Sequence, residues 1–191
     1  ASVMGVVGTA VVVEAHIGNG LPGFTIIGRP DDVCREARDR VRAAFLSSGL
    51  DWPNRRITLN LAPAGVRKIG SALDVAIAVA ILVADEVIAD ERVAGRAFLG
   101  ELGLDGNLRA VTGAAPMVAA LRDAEVIVPL VNTREARIVG PRGIRAVPSL
   151  RVLVECLRGD VDWPALPDPI DDAVVESPLD LADVRGQAMA R

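Results

Sequence analysis

A chain of 191 residues that is 51% hydrophobic, only 3% aromatic and without Tyr has the length of one domain plus an appendage, with a core of Val, Ala, Leu and Ile. Its longest apolar run, 75–84, is half of what spans a bilayer, and no basic leader is evident, so the composition reads as a soluble, cytoplasmic protein with no membrane partner. The net charge of −4 resides in residues 165–191, which leaves residues 1–164 neutral.

Residues 3–17, rich in Val, Thr and Ala, suit one or two strands of a hairpin. Residues 18–23 (GNGLPG) match G-x-G-x-x-G after a strand. A dinucleotide fingerprint opens a helix, however, and here Pro22 and the strand-like FTIIG of 24–28 follow. A turn between two antiparallel strands fits better. A helix then starts with Pro30 at its first position and Asp31 and Asp32 in its first turn, burying Val33, Ala37, Val41, Ala44 and Phe45. Arg35, Arg38, Arg40 and Arg42 lie mostly off that stripe, and Ser47-Ser48-Gly49 closes the helix. With Arg55, Arg56, Arg67 and Lys68 they set eight cations against three acids over residues 35–68. Such a patch is either an anion or nucleic-acid face, or a solvated helix face beside a basic turn.

The chain is organised around residues 56–84. Ile57, Leu59 and Leu61 alternate with Thr58 and Asn60 as a strand, which Pro63 and Gly65 end. Arg67, Lys68 and Gly70 form a basic turn. From Ser71 the period becomes helical, with Ser71 as N-cap, Asp74 in the first turn, and Leu73, Ile77, Ala80, Ile81 and Ala84 on one face. The helix is apolar nearly all round and should be buried on most sides. A strand, a Gly-containing turn and a helix opening on a hydroxyl can present a nucleophile or hold an anion.

Beyond a polar stretch at 85–95, residues 97–102 and 108–111 bracket Asp105-Gly106-Asn107 as a hairpin. A short helix at 113–123 is broken or begun at Pro116. A strand at 125–129, a helical turn at 133–139, a strand at 145–147 and a helix at 149–158, capped by Ser149 and closed by Gly159, complete a mixed α/β or α+β domain over 1–164. Residues 165–178 read as an acidic, Pro-rich linker, and 179–191 as the start of a further, truncated module.

Little catalytic chemistry is on offer. One His (His16) and two isolated cysteines, Cys34 and Cys156, give no metal ligand set; the cysteines read as reduced, half-buried thiols. No motif supports a triad on His16. Lys68, the only lysine, precedes Ile69 rather than Ser or Thr, so there is no P-loop and no cofactor site. A Ser71–Lys68 dyad requires a desolvated lysine within reach of the hydroxyl; the alternative is a helix-capping serine beside a solvated turn.

Residues 19–31 (NGLPGFTIIGRPD), 40–49 (RVRAAFLSSG), 55–82 (RRITLNLAPAGVRKIGSALDVAIAVAIL), 98–113 (FLGELGLDGNLRAVTG) and 126–129 (VIVP) resemble the N-terminal domain of the magnesium-chelatase-like AAA+ ATPases, the ComM/YifB-like group. Residues 180–187 (DLADVRGQ) resemble the segment leading into their ATPase module. The resemblance implies a Lon-protease-like fold. It aligns Lon's nucleophilic serine with Ala72 and its lysine with Ala114 or Ala115, so both catalytic positions would be lost here. It further implies a parent that is an ATP-driven DNA motor in branch migration during natural transformation or recombination, a homo-oligomeric ring (hexamer), with ATP and Mg bound by the missing module. This domain would supply subunit contacts or a DNA surface, expected at Arg55, Arg56, Arg67 and Lys68, since phosphate contacts need flexible cations. A magnesium-chelatase-type ATPase subunit and a residual Ser71–Lys68 hydrolase are the alternatives.

Overall fold

The computed structural model describes residues 1–140 and 142–167. Strands β1 (Ser2–Met4) and β2 (Val7–Thr9) form an antiparallel hairpin, and β3 (Val12–Gly18) follows, so the N-terminal stretch makes three strands rather than one or two. Strand β4 is Gly23–Ile27 and β5 is Arg56–Ala62. The sheet order is β3-β5-β4, with β3 antiparallel and β4 parallel to β5. The loop at 19–22 therefore does not close the expected two-strand turn. β3 and β4 run in opposite senses, but β5 lies between them.

Helices α1 (Asp32–Arg35) and α2 (Ala37–Ser47) replace the single expected helix, separated at Glu36. Asp31, rather than Pro30, marks the start: its side chain accepts from Cys34 N at 2.7 Å. The break shifts the phase of the buried face. Ala37, Val41, Ala44 and Phe45 are buried as their spacing requires, but Val33 is 43% exposed and Cys34 takes its place in the core. Cys34 and Cys156 are both buried free thiols, and burial pushes the Cys34 thiol up to about 11.

Helix α3 (Asp74–Ala84) lies across β3 and packs against α2, β6 (Arg96–Phe98) and β7 (Glu101–Leu102). Val75, Ile77, Ala78, Val79, Ile81 and Leu82 are all buried, as a helix apolar on every side demands. β7 pairs with β8 (Leu108–Arg109) across the Asp105-Gly106-Asn107 turn. The expected strand at 97–102 is thus two strands: β6 joins a parallel sheet and β7 a hairpin.

Helix α4 (Ala114–Ala119), β9 (Glu125–Pro129), α5 (Thr133–Val139), β10 (Gly143–Val147) and α6 (Leu150–Arg158) complete the order, and β10-β9-β6 form an all-parallel sheet. Ser149 caps α6 by accepting from Val152 N, and Gly159 closes it at φ 84°. With mixed and parallel sheets and helices packed on them, the fold is α+β.

At one end of the parallel sheet, Glu125 accepts from Arg96 Nε and from Arg145 Nε, both at 2.8 Å. Burial alone would raise its pKa, but the two guanidiniums hold the carboxyl below the usual range. Both arginines also stack on Trp163, with their carbons 5.4 and 5.7 Å from the ring centroid. The linker expected over 165–178 is described only over 165–167, and the module start expected over 179–191 lies outside the described residues. No described helix is long and apolar enough to cross a membrane.

Candidate functional site

The turn between β5 and α3 carries both residues of the expected dyad, and each has another partner. Ser71 is not a side-chain cap; α3 begins at Asp74, and Ser71 Oγ donates to Glu101 Oε2 on β7. Lys68 is not solvated. It is fully buried, its Nζ donates to Pro63 O, and its backbone bonds to Arg29 O and Asp31 N. Burial holds its ammonium below the usual lysine range, and the Arg29 charge adds to the effect. Asp31 ties α1 to the same turn by accepting from Gly70 N at 3.0 Å. Among the described residues no hydrogen bond joins Ser71 to Lys68.

Of the positions that the resemblance aligns with Lon's serine and lysine, Ala72 and Ala114 are buried and Ala115 is half-buried. Ala72 is 7% exposed and Ala114 0%. Ala114 N donates to Glu135 Oε2 at 2.9 Å, and Asn132 bonds both backbone groups of Val111. That segment is fixed by backbone capture, with methyl groups where a lysine would be needed.

Asp74 has a larger role than its expected place beside the helix dipole. Only 1% exposed, it accepts from Arg40 Nε at 2.7 Å, from Arg40 Nη2 at 3.0 Å and from Leu102 N at 3.3 Å. Arg40 Nη2 also donates to Val33 O at 2.9 Å. One bidentate pair thus joins α2, α3, the end of α1 and the β7 hairpin. Burial raises the Asp74 pKa despite Arg40, whereas the bond to Asp74 raises that of Arg40. The sequence placed Arg40 off the buried stripe of the helix, as one member of the basic patch.

The four residues expected to face DNA fall into two pairs. Arg55 and Arg56 stand where β5 begins, and Arg67 and Lys68 follow its end, about 20 Å away for an extended strand of this length. Arg55, Arg56 and Arg67 are exposed. Arg55 Nη2 pairs with Asp85 Oδ1. Lys68 leaves the surface set, because its ammonium is enclosed against Pro63. Within the basic patch expected over 35–68, the structure makes a grouping the sequence did not show: Arg38 and Arg42, one turn apart on α2, line a cleft with Trp52, Asn54 and Arg55. Their i, i+4 spacing was the available signal.

There is no P-loop, and the single lysine is committed to a backbone carbonyl. Among the described residues no cluster of three or more His, Cys, Asp or Glu could hold a metal.

A family model described as subunit ChlI of Mg-chelatase matches residues 13–132. Competence protein ComM of Haemophilus influenzae is 35% identical over 98% of this chain and 38% of its own length. An uncharacterized protein YifB of Salmonella typhimurium is 38% identical, with 98% and 37% covered. An uncharacterized protein of Mycobacterium tuberculosis is 44% identical, with 100% and 38% covered. The chain spans about two-fifths of the length of these relatives.

Proposed function

The chain belongs to the family of subunit ChlI of Mg-chelatase, and from that membership we propose that it is the non-catalytic N-terminal domain of a ComM/YifB-like AAA+ ATPase. The parent is an ATP-driven DNA motor, a hexameric ring acting in branch migration during transformation or recombination. ATP and Mg belong to its ATPase module. Whole-chain similarity to a competence protein is the observation that carries this reading. The partners of Ser71 and Lys68 support a non-catalytic role, since a nucleophilic pair needs each within reach of the other. In this reading the domain supplies subunit contacts and a DNA surface that includes Arg55, Arg56 and Arg67. It works in the cytoplasm.

ATP hydrolysis by the intact gene product, with and without four-way-junction DNA, tests the proposal. Stimulation by the junction is the expected result. An intact, folded protein with no ATPase activity sinks the motor. The family description favours one competing reading, a magnesium-chelatase-type subunit, and activity indifferent to DNA moves that reading ahead. For the hydrolase alternative, a fluorophosphonate probe is expected to leave the chain unlabelled. Labelling that Ser71→Ala abolishes would reinstate it.

A further inference from the structure

A small cleft separates α2 from the segment that leads into β5. Arg38 and Arg42 reach it from α2, Asn54 and Arg55 from the segment, and Trp52 and Phe24 contribute aromatic surface. No carboxylate lines it. Arg38 and Arg42 are exposed and have neither ion pair nor hydrogen bond among the described residues. Arg55 meets Asp85, which stands outside the lining.

Like charges a helical turn apart repel, so the Arg38–Arg42 pair weakens the free protein and gains nothing visible in the fold. An anion between them reverses the sign of that interaction. The site is also preformed. Trp52 is braced edge-on by Phe45, with centroids 5.3 Å apart, and by Phe24 at 5.9 Å. A rigid apolar surface beside three guanidiniums lowers the local dielectric and strengthens their field. The cavity of about 90 Å³ suits one phosphate group rather than a nucleobase. The i, i+4 spacing, with side chains roughly 6 Å apart at Cβ, lets the two arginines address successive phosphates of one strand.

We infer that the Arg38–Arg42–Arg55 cleft binds the phosphodiester backbone of nucleic acid, an assignment that rests on the DNA-motor reading and gives it a location. Guanidinium forks suit phosphate oxygens bidentately, and Asn54 adds a neutral donor. The apolar surface contributes by excluding water rather than by stacking a base.

Fluorescence anisotropy of the 191-residue chain with fluorescein-labelled single-stranded and four-way-junction DNA, over a salt series, tests this. The double variant Arg38→Ala/Arg42→Ala is expected to lose about tenfold or more in affinity, with a salt slope shallower by about 0.7–0.9 for each phosphate no longer neutralised. Arg38→Lys/Arg42→Lys should recover part of the affinity. Arg109→Ala/Arg122→Ala, exposed arginines outside both the cleft and the DNA surface named above, should lose markedly less. Circular dichroism checks that each variant folds, which unpartnered exposed arginines allow.

DNA binding that survives Arg38→Ala/Arg42→Ala overturns the cleft and leaves the motor reading standing. If the unaltered chain binds no DNA, inorganic phosphate is titrated against its arginine Nε–H NMR signals. Selective shifts of Arg38 and Arg42 then overturn nucleic acid as the source of the phosphate, and the absence of any shift overturns the cleft itself.

Discussion

Replacing Arg40 with Ala is expected to lower the unfolding free energy by about 3 kcal/mol near neutral pH, the scale of a buried ion pair deprived of one partner. The charge left behind sits in the interior: Asp74 is 1% exposed and would retain only the Leu102 N–H. Asp74→Asn should cost less, because no buried charge is stranded and Arg40, 17% exposed, can turn toward water. Acidity gives the sharper test. Burial already sets the folded pKa of Asp74 above its ordinary 3.8, and removing Arg40 raises it further. A raised folded pKa contributes stability that is present below the unfolded value and lost as pH rises through the folded one. The deficit of Arg40→Ala should therefore be largest at neutral pH and shrink as pH falls toward the ordinary carboxylate range. Urea unfolding followed by Trp fluorescence at several pH values measures it. A deficit independent of pH would show that lost packing, not a stranded carboxylate, is the cause.

Gly28→Ala carries the second large effect. Gly28 follows β4 at φ 100°, and an added Cβ would stand 2.2 Å from Leu61 O and 2.9 Å from Leu61 C. Those are backbone atoms of β5 and cannot swing aside. Backbone strain of about 1–3 kcal/mol then adds to an overpacking cost of similar size, for a total near 4 kcal/mol. At about 2–4 °C per kcal/mol for a domain of this size, the thermal midpoint should fall by roughly 10 °C. Gly70→Ala is the control. It shares a positive φ, 81°, but its Cβ would meet nothing within 4 Å, so it bears strain alone. Equal losses in the two variants would remove the steric part of the explanation.

What could be read from the chain alone divides along local and distant contacts. Strand β5 follows from alternation, helix α5 from its closing glycine and helix α6 from its serine cap and closing glycine, all of which act within a few residues. The break at Glu36 did not, and a one-residue change of phase exchanged Val33 for Cys34 in the core. Lys68 resembles a turn residue because Arg67 and Gly70 flank it. It is held by Arg29 and Asp31, far away in sequence, whose backbone groups bond to its own across the turn. The Arg40–Asp74 pair spans 34 residues and leaves no local mark. The cleft was half visible: the i, i+4 arginines lie in the sequence, but their meeting with Trp52, Asn54 and Arg55 is tertiary.

The stacking of Arg96 and Arg145 on Trp163 has a mechanical side. Because Glu125 joins both arginines, the clamp rests on all three strands of the parallel sheet together. Tension applied to the chain beyond Trp163 would meet that three-strand anchor first. The load would spread sideways over β6, β9 and β10 before it reached α3. Because α3 itself packs against β6, the buried helix would take up that load through the sheet rather than directly.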